Sequence, residues 1–428
     1  MSKLQSLRGF NDVLPAQAAL FRRVFATAAD VASRYGYGEL RLPLLEATTL
    51  FKRAVGEVTD VIEKEMYSFD DRDGVSVSLR PELTAGTVRA GIEHGLLHNQ
   101  QQRFWYAGPA FRHERPQAGR YRQFHQVGVE AYGMAGPDID AEVIAFSHRF
   151  LTALGIGGLK LEINSLGGLE ARANYRAALI AYLERFEAEL DEDSKRRLHT
   201  NPLRVLDSKV PRTKEIVADA PQLTAYLEDE SRAHFDGWRQ ALEDLGIGYQ
   251  VSPQLVRGLD YYTRGVFEWT TDQLGSQGTV LAGGRYDNLV SQLGGSPSPA
   301  VGWASGVERL VLLLEKQQAE AAALDAPQVY FCTLGEAAER RARIVAEDLR
   351  HQLPDLRLLL NAGGGKLKSQ LGRAEKVGAR LLLVLGEAEL TAGVVQVKSA
   401  IPSHPGDKTG EQLVPFSALA TAIAARLD

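Results

Sequence analysis

Two ten-residue stretches of alternating character, Arg103–Arg112 and Gln123–Tyr132, flank the polar segment HERPQAGRYR, which contains Pro116 and Gly119. Period-two alternation interrupted by turn formers specifies two antiparallel strands with a charged tip. Part of this chain must therefore be an antiparallel sheet. Arg103, Arg112, Arg115, Arg120 and Arg122 all fall on this hairpin. Strand side chains alternate faces, so Phe124, Gln126, Gly128, Glu130 and Tyr132 share one face. A Gln and a Glu on either side of a Gly read as the floor of a polar pocket, with the glycine leaving room for a ligand. The alternative is a solvated sheet face with surface arginines.

Four further segments concentrate chemistry. The run Val75 to Leu79 alternates like a half-buried strand and leads into Arg80-Pro81-Glu82-Leu83-Thr84. Arg80, Glu82 and Thr84 share the parity of Ser76 and Ser78, which read as solvent-facing. A carboxylate beside a hydroxyl suits an ammonium group, and a helix N-cap by Thr84 competes with that reading. Arg257, Tyr261 and Tyr262 could clamp a carboxylate and bind a polar ring, or mark a turn followed by core aromatics. In AGGRYDNLV, Gly283 and Gly284 would admit a ligand close to the backbone, with Arg285 and Asp287 at its mouth. Arg309 stands in the first turn of a helix beginning near Gly306, where the helix dipole favours an anion. Either an anionic ligand or a surface salt bridge answers that mismatch.

The rest of the chain supplies organisation. Phe21 to Tyr35 has helical spacing, and Glu39 to Leu42 reads as a short strand ending at Pro43. Residues 169–245 are rich in Glu, Arg and Ala, with a break at Asn201-Pro202, and read as a helical insertion. Strand signals resume in VFEWTT and TVLAGG. After a linker ending at Pro327, strand and helix patterns alternate, as in a parallel, doubly wound sheet. The expected domains are 1–326, carrying the insertion, and 327–428.

Composition narrows the function. The net charge of −5 over 428 residues excludes an indiscriminate polyanion binder. The last hundred or so residues, from Pro327, hold 13 Lys plus Arg against 11 Asp plus Glu, so the negative charge lies on the part that also holds the arginine-rich hairpin. A single cysteine, Cys332, excludes an intramolecular disulfide and points to a reducing cytoplasm. The N-terminus has no secretory apolar region, and no apolar run approaches the ~20 residues of a membrane span. There is no P-loop and no nucleophile elbow, and His94 and His98 lack a third ligand, so no metal site is expected.

Taken together and in order, these segments resemble the histidyl-tRNA synthetase family of class II aminoacyl-tRNA synthetases. RGFNDVLP opens the chain as in that family, and RLPLLEAT resembles motif 1. FRHERPQAGRYRQFHQVGVEAYG resembles motif 2, LVRGLDYYTRGVFEW the family's histidine-binding segment and GWASGVERLVLLL motif 3. NPLRVLDSK resembles its insertion and GGGKLKSQLGRAEKVGARLLLVLGE its anticodon-binding domain. The resemblance implies an α+β catalytic core, an antiparallel sheet flanked by helices with a helical insertion, followed by a C-terminal α/β anticodon-binding domain.

It also implies a reaction: L-histidine and ATP give histidyl-adenylate, and the histidyl group passes to the 3′ end of tRNA(His). By the same resemblance Arg112 and Arg257 are catalytic, and both touch histidine. Glu82, Thr84 and Gln126 receive its amino group, and Glu130, Tyr261 and Tyr262 surround its imidazole. Arg112, Glu114, Arg120 and Arg309 meet ATP. Mg²⁺ is expected with ATP, with no tightly bound cofactor, and motif 1 implies a homodimer. Buried polar partners for a polar ring discriminate by ~10⁴, so no editing site is expected and the insertion reads as a tRNA contact. Leu83 stands where the family commonly has Gly. The alternative within this resemblance is a non-catalytic regulatory subunit of ATP phosphoribosyltransferase.

Overall fold

The computed structural model describes residues 3–56, 59, 61–206, 208–256, 259, 261–275, 278–317, 326–400 and 410–427. It divides into two compact units, Met1–Gln318 and Ala319–Asp428.

In the first unit, Pro15 pre-sets the first turn of a twenty-residue helix, Pro15–Arg34. Its buried side, with Leu20, Val24, Ala28 and Val31, follows the 3.6-residue period. The strands follow in chain order: β1 (Gly38–Glu39), β2 (Leu45–Ala47), β3 (Tyr67–Asp70), β4 (Ser76–Leu79), β5 (Gln102–Phe111), β6 (Gln123–Tyr132), β7 (Lys160–Ser165), β8 (Gln250–Val251), β9 (Thr263–Thr270), β10 (Thr279–Arg285) and β11 (Ala300–Gly306). Eight of them form one sheet in the order β1-β5-β6-β11-β10-β9-β7-β8. Its six central strands are antiparallel, and the two-residue edge strands β1 and β8 pair parallel. β2, β4 and β3 form a small antiparallel sheet. The strand expected at Glu39–Leu42 is thus shorter, and the hairpin is β5–β6, in register from Gln102↔Tyr132 to Phe111↔Gln123.

One face of the large sheet is apolar and packs under the helix Pro137–Ala153. Trp303 stacks on Phe150 with centroids 5.8 Å apart, and Trp269 Nε1 donates to Ser147 Oγ at 2.8 Å. The opposite parity, including Gln126, Glu130 and Glu268, borders a cavity. The stretch 169–245 is helical, with Leu169–Glu184, Glu192–Arg197, Pro211–Ala218 and Asp229–Asp244. The last of these packs on the sheet through Trp238, whose ring meets Phe267. Among the described residues no helix is long and apolar enough to cross a membrane.

The second unit contains β12 (Val329–Thr333), β13 (Leu358–Leu360), β14 (Leu381–Leu385), β15 (Val394–Ser399) and β16 (Gln412–Pro415), ordered β13-β12-β14-β15-β16. The first three are parallel, with the helices Glu336–Gln352 and Leu367–Lys376 as crossovers. The sheet is mixed rather than wholly parallel, because β15 and β16 add as an antiparallel pair beside β14.

Candidate active site

The hairpin, the chain after β4, β9 to β11 and the helix Val307–Gln317 converge on a cavity of about 600 Å³. Glu82, Thr84, Gln126, Glu130, Tyr261 and Tyr262 line it, together with Arg112, Glu114, Arg120 and Arg309. Arg257, with Gly258 and Asp260, lies outside the described residues.

Glu130 is the centre of the deep end. It is 1% exposed and accepts hydrogen bonds from Thr84 Oγ1 at 2.8 Å, Tyr106 Oη at 2.9 Å and the Tyr286 hydroxyl. Burial raises its pKa to about 8, although the three hydroxyl donors favour the carboxylate. Gly302 is required opposite it, since a Cβ there would lie 1.8 Å from Glu130 Oε2. Gly128 serves a different purpose from the one its sequence context suggests. Tyr106 is its cross-strand partner, and a Cβ at Gly128 would meet the Tyr106 ring at 2.5 Å. The space belongs to a tyrosine that holds Glu130, not to a ligand.

The segment after β4 also differs from its parity. The strand ends at Leu79, so alternation stops before Arg80. Arg80 is buried and donates to the carbonyls of Leu42, Pro43 and Pro109. Its guanidinium supports the backbone and does not line the cavity. Ser78, read as solvent-facing, is fully buried against Thr48 and Ser68. Glu82 Oε2 accepts from Thr84 N at 2.6 Å and Oε1 from Ala85 N at 3.0 Å, so Glu82 caps the helix Thr84–Glu93 while the Thr84 hydroxyl turns to Glu130. Leu83 sits at φ −109°, a backbone any residue adopts, and packs with Tyr106 and Ala110. Gln126 Oε1 is buried without a hydrogen-bond partner, an acceptor available to an ammonium group.

Arginines occupy the shallower end. Arg112 donates from Nε to Pro81 O at 2.8 Å and lies 5.3 Å from the Phe124 ring centroid. Glu114 sits between Arg112 at 3.9 Å and Arg120 at 3.5 Å. Arg309 is pushed down to about 10 by burial and by neighbouring Arg120. Two half-buried cations side by side make a place suited to an anion. The other hairpin arginines do not line it: Arg103 pairs with Glu142 at 2.9 Å, Arg115 is exposed and Arg122 donates to Glu114 O.

In AGGRYDNLV the expected roles reverse. Arg285 is fully buried and bound to Asp140, Asp287 and the carbonyls of Met134 and Gly136. Gly283 and Gly284 admit neighbouring strands: Cβ atoms there would lie 2.1 Å from Gly302 O and 2.5 Å from Gly265 O. Tyr286, between Arg285 and Asp287, is the residue that reaches the site. Opposite parity to its neighbours was the signal for it, as hairpin register was for Tyr106. Arg204 and Lys209 of the insertion also line the cavity. Among the described residues no three His, Cys, Asp or Glu side chains converge on a metal position.

A mostly antiparallel sheet with an arginine-rich hairpin and a helix-borne arginine around one polar cavity, followed in the chain by a separate anticodon-binding unit, defines the class II aminoacyl-tRNA synthetase fold. The family model described as histidyl-tRNA synthetase matches residues 9–310, and that of the anticodon-binding domain matches residues 328–426. The crystal structure of apo S. aureus histidyl-tRNA synthetase is 33% identical, with a TM-score of 0.79 over 98% of this chain and 100% of that one. Two others share the fold: a Nostoc sp. histidyl-tRNA synthetase (19% identity, TM-score 0.73, all of both chains) and a Bacillus halodurans protein titled ATP phosphoribosyltransferase regulatory subunit/histidyl-tRNA synthetase (22% identity, TM-score 0.65, 87% of this chain and 97% of that). This chain belongs to the histidyl-tRNA synthetase family.

Proposed function

We propose that the chain is a histidine–tRNA ligase. It joins L-histidine to ATP as histidyl-adenylate, releasing pyrophosphate, and transfers the histidyl group to the 3′ end of tRNA(His). The observation that carries this reading is the composition of one cavity: a buried carboxylate held by three hydroxyls at one end and half-buried arginines at the other.

The chemistry follows from that arrangement. The imidazole meets Glu130, with Tyr261 and Tyr262 beside it. The amino group meets the unsatisfied Gln126 oxygen, with Glu82 and Thr84 adjacent. The histidine carboxylate attacks the α-phosphorus, and the bond to the pyrophosphate oxygen breaks. Negative charge grows on the phosphoryl oxygens, where Arg112, steadied by Pro81 O and Phe124, stabilises it. Arg309 and Arg120 take the outer phosphates, and Arg257 is assigned to the carboxylate and α-phosphate on family resemblance. Mg²⁺ enters as part of the ATP substrate. Exposed Leu44, Leu45 and Phe69 around the small sheet suit pairing of two copies as a homodimer, and the cytoplasm suits a chain whose one cysteine is reduced.

Histidine-dependent exchange of labelled pyrophosphate into ATP, followed by histidylation of tRNA(His), tests the proposal. Both are expected. Folded protein without exchange would instead favour a non-catalytic regulatory subunit of ATP phosphoribosyltransferase. The match of residues 328–426 to an anticodon-binding domain supports the tRNA step.

A further inference from the structure

The segment RGFNDVLP contributes no residue to the wall of the active-site cavity. Its contacts run instead to the base of the hairpin tip. Gly9 O accepts from the backbone N–H groups of Arg122 at 2.8 Å and Gln123 at 3.2 Å. Gly9 is buried with φ +86°, and a Cβ there would lie 2.8 Å from Arg122 Cγ. Glycine is therefore what lets the segment lie flat against the Arg122 stem. Arg122 in turn ties the tip together. Its carbonyl accepts from Arg112 N at 2.9 Å, and its Nε donates to Glu114 O at 3.3 Å.

The same segment reaches the other strand of the hairpin through aromatic rings. Phe10 meets Tyr67 with centroids 5.9 Å apart, and Tyr67 meets His113 at 5.6 Å. His113 N donates to Glu65 O at 2.7 Å. The next residue is Glu114, the carboxylate between Arg112 and Arg120. Arg8–Phe10 thus braces both strands where the tip begins. Within the tip the ladder is reduced to the bridge Gln117↔Arg120. A loop with so little pairing of its own holds one arrangement only where its ends are fixed. A site that is competent for a fraction of the time binds its ligand more weakly by that fraction.

On the ATP roles proposed above for the tip, we infer that Arg8–Phe10 is a positioning element of the nucleotide subsite, fixing the hairpin tip so that Glu114 and Arg120 stand ready for ATP. The test uses the full chain with Gly9→Val and Phe10→Ala, a variant lacking residues 2–10, and Lys3→Ala as an exposed control. KM for ATP, KM for histidine and kcat are read from pyrophosphate exchange. Trypsin cleavage after Arg120 and Arg122 of the folded protein reads the tip without needing activity. Gly9→Val should raise KM for ATP about tenfold, as a tip ordered roughly one-tenth of the time requires. KM for histidine should stay near the parent value, saturating ATP should restore kcat, and tip cleavage should accelerate. Phe10→Ala should move the same quantities by less, the shortened chain by at least as much as Gly9→Val, and Lys3→Ala should move none.

Equal rises in both KM values, or a fall in kcat alone, would make the segment a general part of the scaffold and overturn the inference. So would a change in KM for ATP without faster cleavage, or faster cleavage with KM unchanged. In each of these cases the parent chain still exchanges. A parent inactive in exchange would remove the synthetase reading, and the link between this segment and ATP with it, while cleavage would still report whether the segment holds the tip.

Discussion

Glu130 shows how one residue depends on partners distant in sequence. Its parity with Gln126 is readable along β6. Its environment comes from Thr84, Tyr106 and Tyr286, brought in from three other segments. The pH behaviour follows. Burial raises its pKa to about 8, whereas in the unfolded chain it ionises near 4.3. Between these values the folded state binds the extra proton, so the Glu130 contribution to stability falls as pH rises and levels off above about 8. Urea unfolding at a series of pH values should show this slope, and Glu130→Gln should flatten it. Gly128 is also instructive at this scale: a glycine between polar residues announces close approach, but not of what. Only the register showed that the approaching group is Tyr106.

Elements were readable where their periodicity was long. Both hairpin strands lie within a residue of their expected bounds, because ten alternating residues between turn formers leave little freedom. Short elements were not. The parity carried from Ser76 to Thr84 failed because β4 ends at Leu79, just before Arg80-Pro81. β15 and β16 went unread because they do not continue the strand–helix alternation and are defined by antiparallel pairing at the β14 edge. The helix Thr84–Glu93 is capped by Glu82, not by Thr84, and this can be checked. Glu82→Ala removes the acceptor of two backbone N–H groups and should cost about 1 kcal/mol, read from the urea midpoint. Thr84→Val leaves those bonds in place, so it should weaken histidine binding more than it weakens the fold.

For the first unit as a whole, the clearest dependence is a buried ionic hub. Asp140, on the helix Pro137–Ala153, receives Arg285 from the end of β10 and His234 from the helix Asp229–Asp244. Arg285 pairs with Asp287 as well, yet it is fully buried. Asp140→Asn leaves that guanidinium short of its main counter-charge and should cost about 3 kcal/mol of stability. Chemical denaturation of the full chain measures it, and a loss within a few tenths would show that Asp287 suffices. Net charge is a weak guide at this scale. The chain is acidic overall, yet the hairpin, the helix Val307–Gln317 and the insertion each bring cations to one cavity.

By itself, the sequence determined the antiparallel hairpin, the strand–helix alternation of the second unit, the family resemblance and the polar face carrying Gln126 and Glu130. All of these rest on local periodicity or on motifs contiguous in the chain. Tertiary structure alone decided which of the polar residues meet at the cavity. It put Arg80 and Arg285 into structural networks, gave the capping role read for Thr84 to Glu82, set Tyr106 behind Glu130, and added Tyr286, Arg204 and Lys209 to the cavity wall. The physical reason is that a side chain's partner is set by strand register and helix packing. A buried arginine among carbonyls and one facing a cavity have the same local sequence signature, and only the contacts made across the fold distinguish them.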